Sequence, residues 1–233
     1  MKLGIMQPYF MAYIGYYQLI NSVDKFIIYD NIQYTKKGWI NRNRILSNNT
    51  DYLITLPLKK DSDYLNIVDR ELSESWVNDK NKMLNIIKSS YKKTPYFDDA
   101  YPLISDCINN SETNLFKYIY DSVLSIKNYL DINTEIIISS ELNIDHNLKS
   151  QDKVISLCLN QNADVYINSI GGVELYNKET FKTKGIELNF IKTNPIKYKQ
   201  FRNEFVPWLS IIDVLMFNSK DTIKNYLNEY TLI

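Results

Sequence analysis

The period of apolar and polar positions changes several times along the chain, and the changes mark out its elements. Leu3 to Met6 is a short apolar run stopped by Pro8, which reads as a buried strand. From Tyr13 to Val23, apolar residues fall at helical spacing (Ile14, Tyr17, Leu19, Ile20, Val23). Phe26 to Tyr29 is a second apolar strand that ends at Asp30-Asn31. Strand, turn, helix and strand in this order predict a βαβ unit with parallel strands. Tyr52 to Leu58 alternates as a further strand, closing near Pro57.

The middle of the chain carries only the helical period. Ser75 to Tyr91 places Trp76, Met83, Ile86 and Ile87 on one side, and a break follows at Pro95. A short helix is expected near Tyr101 to Ile108. Another, opened by Ser111 and Glu112, runs to about Leu130 with Leu115, Ile119, Val123 and Ile126 along one stripe. This block predicts a helical insertion or cap at about 75–130. The strand–helix rhythm then resumes with Glu135 to Ile138, a helix from Ser150 to Leu159, and Ala163 to Asn168. After a short helix near Asn177 to Thr183 come a strand at Ile186 to Ile191 and helices over Leu209 to Phe217 and Thr222 to Tyr230. Five or six strands alternating with helices predict one α/β domain over 1–233, built on an open, mostly parallel sheet. In such a sheet the site lies beyond the carboxyl ends of the strands.

Composition narrows the picture a little. Lys plus Arg equals Asp plus Glu, so no global positive field draws in nucleic acid. Tyrosine is abundant at 19 residues, and its polar tip suits half-wet surfaces. Cys107 and Cys158 sit in apolar helical contexts without metal-ligand spacing, which predicts buried free thiols. No apolar run reaches the roughly 18 residues of a membrane span. The opening Met-Lys-Leu-Gly-Ile-Met is too short for a secretory core, so a cytoplasmic protein is expected.

Three loops fall where the sheet would put a site. The first, Gln7 to Tyr16, contains Gly15, which either lets a ligand approach a helix start or only permits close packing. The second, Asp30 to Arg44, gathers Asp30, Asn31, Tyr34, Trp39, Asn41, Arg42, Asn43 and Arg44. Arginine offers a planar fork for phosphate or carboxylate, and Trp39 or Tyr34 a face for a base or sugar. The bland alternative is an Arg–Asp network that pins this loop to the body. The third region holds Gly171-Gly172, Tyr198-Lys199-Gln200 and Phe205 to Asp213, where Ser210 and Asp213 have the spacing of a variant capping box. The sole histidine, His146, lies in a polar run expected at the surface and away from these loops. No metal cluster, GxGxxG or phosphate-binding P-loop is present, so no metal and no cofactor is expected.

The segments Met6-Gln7-Pro8-Tyr9-Phe10, Tyr13-Ile14-Gly15-Tyr16, Tyr29-Asp30-Asn31 and Gly38-Trp39-Ile40-Asn41-Arg42-Asn43-Arg44 resemble the WbqC-like family, as does Phe205 to Asp213. That resemblance implies a cytoplasmic protein encoded among genes for O-antigen, capsule and related glycans. Its implied activity is a transferase that attaches an aminoacyl or acyl unit to a nucleotide-linked amino sugar. Asp30 would be the general base. Gln7, Tyr13, Gly15, Asn31, Tyr34, Trp39, Asn41, Arg42, Asn43 and Arg44 would bind substrate. The implied partners are the nucleotide-linked amino sugar and an activated acyl or aminoacyl donor. No membrane is expected, and no nucleic acid beyond a charged carrier; self-association stays open. A fainter resemblance to Rossmann-like nucleotidyltransferase folds places Tyr13 and Tyr16 where that group carries a histidine pair. It keeps an adenylating ligase as one rival, and a non-catalytic module that binds a glycan precursor is the other.

Overall fold

The computed structural model describes residues 1–201 and 204–233. Its centre is a six-stranded sheet with the order β5-β2-β1-β6-β7-β8. These strands are β1 (Lys2–Met6), β2 (Lys25–Ile28), β5 (Glu135–Ile138), β6 (Val165–Ser169), β7 (Glu187–Thr193) and β8 (Tyr230–Leu232). Every pairing is parallel except the last, where β8 runs antiparallel to β7. The molecule is thus mixed α/β with a mostly parallel central sheet, as its strand–helix rhythm predicts. Two further strands, β3 (Arg42–Ser47) and β4 (Thr50–Thr55), form a separate antiparallel hairpin.

A parallel sheet must be covered on both faces, and alternate residues of each strand serve the two sides. Phe26 and Ile28 join one apolar cluster, while Ile27 joins the other with Leu3 and Ile5. The first face receives α1 (Ile14–Asn21), α7 (Ile211–Phe217) and α8 (Lys220–Tyr226). The second receives α5 (Ser150–Asn160) and α6 (Lys178–Lys182). Gly4 leaves room for the Phe26 ring of β2, from which a Cβ there would lie 2.9 Å. Truncating Phe26, which is fully buried, to alanine should cost about 3–5 kcal/mol.

Three helices follow the hairpin without a strand between them: α2 (Trp76–Tyr91), α3 (Phe97–Asn109) and α4 (Leu115–Tyr129). Their buried stripes, including Ile87, Tyr91, Ile104 and Ile119, belong to the same apolar cluster as α1 and α7. Cys107 and Cys158 are buried and unbridged, and burial pushes their thiols up to about 11 and about 12. No helix among the described residues is long and apolar enough to cross a membrane.

Several boundaries depart from the periodicity. The α3 helix begins at Phe97 rather than Tyr101, with Pro102 inside it. The last predicted helix stops at Tyr226, and Tyr230–Leu232 pairs instead as β8. The largest departure is β3, because Arg42 to Arg44 was expected in a loop. Its polar start hides the strand, while Asn48 and Asn49, both at positive φ, make the tight hairpin turn that asparagine tolerates.

Candidate functional site

The parallel order sends the chain from β1 outward to β2 and later back to β6 on the other side, so the switch point lies at β1 and β6. The residues expected to share one pocket separate into three groups around this end of the sheet. The hairpin is the reason. On β3, alternation turns Asn43 inward and leaves Arg42 and Arg44 partly exposed. Asn43 donates to the Phe10 and Met11 carbonyls at 3.1 and 2.8 Å and so clamps the loop after β1. Arg42 donates to the Gly38 and Lys37 carbonyls, and Arg44 pairs with Asp51 at 3.2 Å. Much of each guanidinium fork is therefore spent on the protein, as in the loop-pinning alternative. Both also sit over Trp39, at 5.8 and 5.3 Å from its ring centre.

The first group surrounds a cavity of about 810 Å3 at the carboxyl end of β7. Tyr13 and Ile14 at the start of α1 form one wall. Lys192 and Thr193 end the strand, and the connection to α7 adds Lys197, Tyr198 and Trp208. Tyr13 meets Trp208 edge-to-face at 6.0 Å. Trp208 is 60% exposed and holds φ at +61°, an unfavourable setting for a bulky side chain. Arg44 reaches its carbonyl at 3.4 Å, which joins the Trp39 face to the cavity rim. Gly15 is needed here: a Cβ would overlap the Tyr13 hydroxyl and lie 2.6 Å from Thr193 Oγ1. Thr193 in turn donates to Gln18 at 2.7 Å. Tyr16 is a core residue, packed between Tyr17 and Phe26, and contributes nothing to the cavity.

Behind this cavity lies an acid that the sequence disguised. Asp213 is fully buried in the first turn of α7. It does not complete a capping box with Ser210, whose Oγ accepts from Ile212 and donates to the Met11 carbonyl. The Asp213 carboxylate accepts from Tyr91 at 2.9 Å, from Tyr198 at 2.5 Å and from Gln200 at 2.7 Å. Burial outweighs these three donors and pushes its acid up to about 6. Burial, and then the Asp213 charge, hold the Tyr198 phenol well above its ordinary range.

Asp30 and Asn31 form the second group, beyond β2 and β5. Asp30 is fully buried, accepts from the Ser140 amide at 2.9 Å through Oδ1, and has no partner for Oδ2 among the described residues. Lys153 of α5 is buried nearby, with Nζ 5.1 Å from the Tyr29 ring centre and donating to the His146 carbonyl at 3.3 Å. Burial lowers the Lys153 pKa, with Asp30 and Asp145 opposing that shift. His146 is exposed as expected, yet it is not remote from the candidate loops. Its Nδ1 accepts from Asn31 at 2.8 Å in the tautomer whose Nε2–H donates to the Leu142 carbonyl at 2.9 Å. Asn31 also accepts from Ser139 at 2.9 Å.

Tyr34 and Asn41 form the third group, on the other side of the hairpin. The Tyr34 hydroxyl donates to Asn41 Oδ1 at 2.8 Å, and Asn41 Nδ2 to the Leu56 carbonyl at 2.8 Å. Gln7 is half-buried just past β1. Gly171 and Gly172 sit in a 3-10 turn over Ile170–Leu175, and Gly172 leaves room for the Asn168 side chain. Among the described residues, no cluster of His, Cys, Asp or Glu has the arrangement to hold a metal.

Lys153, Ser139 and the buried role of Asp213 escaped the sequence reading. Lysine at helical spacing reads as surface, and Ser-x-x-Asp reads as a cap. Only Trp208 carried a signal, as an aromatic residue next to Pro207 just before an apolar helix.

Similarity to known proteins follows the same chain length. The model of the WbqC-like protein family matches residues 7–225. The uncharacterized protein Rv1507c of Mycobacterium tuberculosis is 26% identical over 230 residues, which span 97% of this chain and 97% of that one. No solved structure matches the chain. The matched residues run from the loop after β1 into α8 and take in the hairpin and all of the cavity wall except Thr231, so the chain belongs to the WbqC-like protein family.

Proposed function

We propose that this protein is a transferase of surface-glycan biosynthesis, which binds a nucleotide-linked amino sugar in the cavity and acylates or aminoacylates its amino group. The observation that carries this reading is the make-up of the cavity. Its volume of about 810 Å3 falls within the roughly 300–1,000 Å3 of small-molecule sites. Trp208 and Tyr13 offer faces for a base or sugar, and Lys192 and Lys197 offer charge for a diphosphate. The glycan context is what the resemblance to the WbqC-like family implies, and it belongs to this proposal.

In this reading the base is the Tyr198–Asp213 pair, which meets the cavity, rather than Asp30, which lies apart from it. The sugar ammonium gives a proton to the Tyr198 oxygen as the phenol proton passes to Asp213. The free amine then attacks the activated carbonyl of the donor. A carbon–nitrogen bond forms, the bond to the donor's leaving group breaks, and the leaving group departs with the electron pair and takes up the second proton that the nitrogen loses. A carboxyl poised at about 6 is ionised at neutral pH and still basic enough for this role.

The adenylating rival has less support, because tyrosines stand where that fold carries a histidine pair and Tyr16 is buried in the core. The test is a thermal-shift panel of nucleotide-linked sugars, free nucleotides and free sugars. A ligand at 100 times its dissociation constant should stabilise the fold by about 2.7 kcal/mol. A shift with a nucleotide-linked amino sugar that Trp208→Ala abolishes is the expected outcome. Silence across the panel, or a shift indifferent to Trp208, would sink the reading.

A further inference from the structure

On the far side of the hairpin from Trp39, the chain borders a second, open cavity of about 290 Å3. Its charged lining consists of Lys36, Lys59, Lys60 and Arg70 against Asp61 and Asp63, with Tyr34 on the wall. Arg70 is only 5% exposed, yet it makes no ion pair among the described residues. Its Nη1 donates to the Ser62 carbonyl at 3.0 Å, and its guanidinium carbon lies 4.5 Å from the Tyr34 ring centre. Its Nε is buried without a partner. A guanidinium held this deep is unfavourable without a counter-charge, and one aromatic face offsets only part of that.

Two of the acids here are committed to lysines. Asp63 pairs with Lys36 at 2.7 Å, and Glu71 with Lys59 at 3.2 Å, both on the exposed rim. Asp61 is exposed and accepts from the Ser62 amide at 2.7 Å. Lys60 is left as a second unpaired cation on the wall. Burial raises the pKa of the Tyr34 phenol, with Arg70, Arg42 and Lys36 opposing that shift.

We propose that this cavity is an oxyanion site, which takes the phosphate or carboxylate of a small molecule on the unengaged part of the Arg70 fork, with Lys60 as the second cation. Its size suits a small anion better than a whole nucleotide. The inference does not depend on the transferase reading, since it concerns other residues on another face of the hairpin. Tyr34 and Asn41 would then serve as a fixed wall, their polar groups already satisfied by each other and by Leu56.

Calorimetric titration of the full chain with inorganic phosphate, and separately with acetate, tests this at constant ionic strength balanced with chloride. At least one anion should bind saturably. Lys60→Glu should weaken that binding by about tenfold or more, and Arg70→Gln should abolish it. Lys60 is exposed, so its variant folds even if the buried Arg70 variant does not. Binding of phosphate alone identifies a phosphorylated ligand, and binding of acetate alone a carboxylate; either supports the site. If neither anion saturates, or if Lys60→Glu binds like the wild type, the proposal fails.

Discussion

Replacing Asp213 by asparagine separates two effects that compete at this acid. Three side-chain donors favour the charged form, and complete burial disfavours it. Burial wins, raising the pKa from 3.8 to about 6. Between those values the folded protein keeps a proton that the unfolded chain has released. Stability therefore falls as pH rises through this window, and the contribution levels off above about 6. A shift of this size corresponds to about 3 kcal/mol. Asparagine does not titrate. Urea unfolding of both proteins across this range should show the wild type losing about 3 kcal/mol relative to Asp213→Asn. The lowered carboxyls of Asp79, Asp131 and Asp164 are the same in both proteins and cancel. Parallel profiles would refute the reasoning. A wild type that gains on the variant as pH rises would show that the tyrosine and glutamine donors outweigh burial.

Trp208→Gly removes a left-handed side chain costing about 1–2 kcal/mol but frees the unfolded chain by about 0.5–1 kcal/mol. Stability should stay within about 1 kcal/mol by urea titration, while binding of a nucleotide-linked sugar weakens by about 1–3 kcal/mol, the worth of one stacked base; a large stability loss with intact binding would reverse the assignment. In a transfer assay, Tyr198→Phe should lower the rate by about 10²-fold or more, whereas Asp30→Asn and His146→Ala stay within a few-fold. The opposite ranking would return the base role to Asp30. With ATP, Mg²⁺, labelled pyrophosphate and an amino-acid mixture, no label should enter ATP; robust exchange would favour an adenylating ligase.

Most of the five parallel strands were legible because they carry short apolar runs, the mark of a strand covered on both faces, while β7 alternates through Leu188 and Phe190. The β3 strand was not, since Arg42-Asn43-Arg44 is polar and belongs to a hairpin outside the main sheet. That oversight also blurred the site. Read as one loop, Asp30 to Arg44 looks like a single constellation. Folded, it spreads Asp30 toward β5, Tyr34 behind the hairpin, and Trp39 with Arg44 toward Trp208. Asp213 could not be recognised either, because its partners Tyr91 and Tyr198 are distant in sequence and no spacing rule joins them. Tyr13 and Gly15 were placed correctly at the start of α1, where local sequence alone sets the geometry.

The position of β1 has a consequence for how the chain reaches this form. Strand β1 is made first, yet one of its two neighbours, β6, begins at Val165. Until that segment leaves the ribosome, one edge of the central strand, at Lys2 to Gly4, has no hydrogen-bonding neighbour. The cavity closes later still, when Trp208 reaches Tyr13 across most of the chain. Contacts so far apart in sequence slow folding and lengthen exposure to aggregation. A protein nicked or stalled before β6 should therefore hold its βαβ start only as an open, sticky edge, and the cavity cannot exist in any shorter nascent chain.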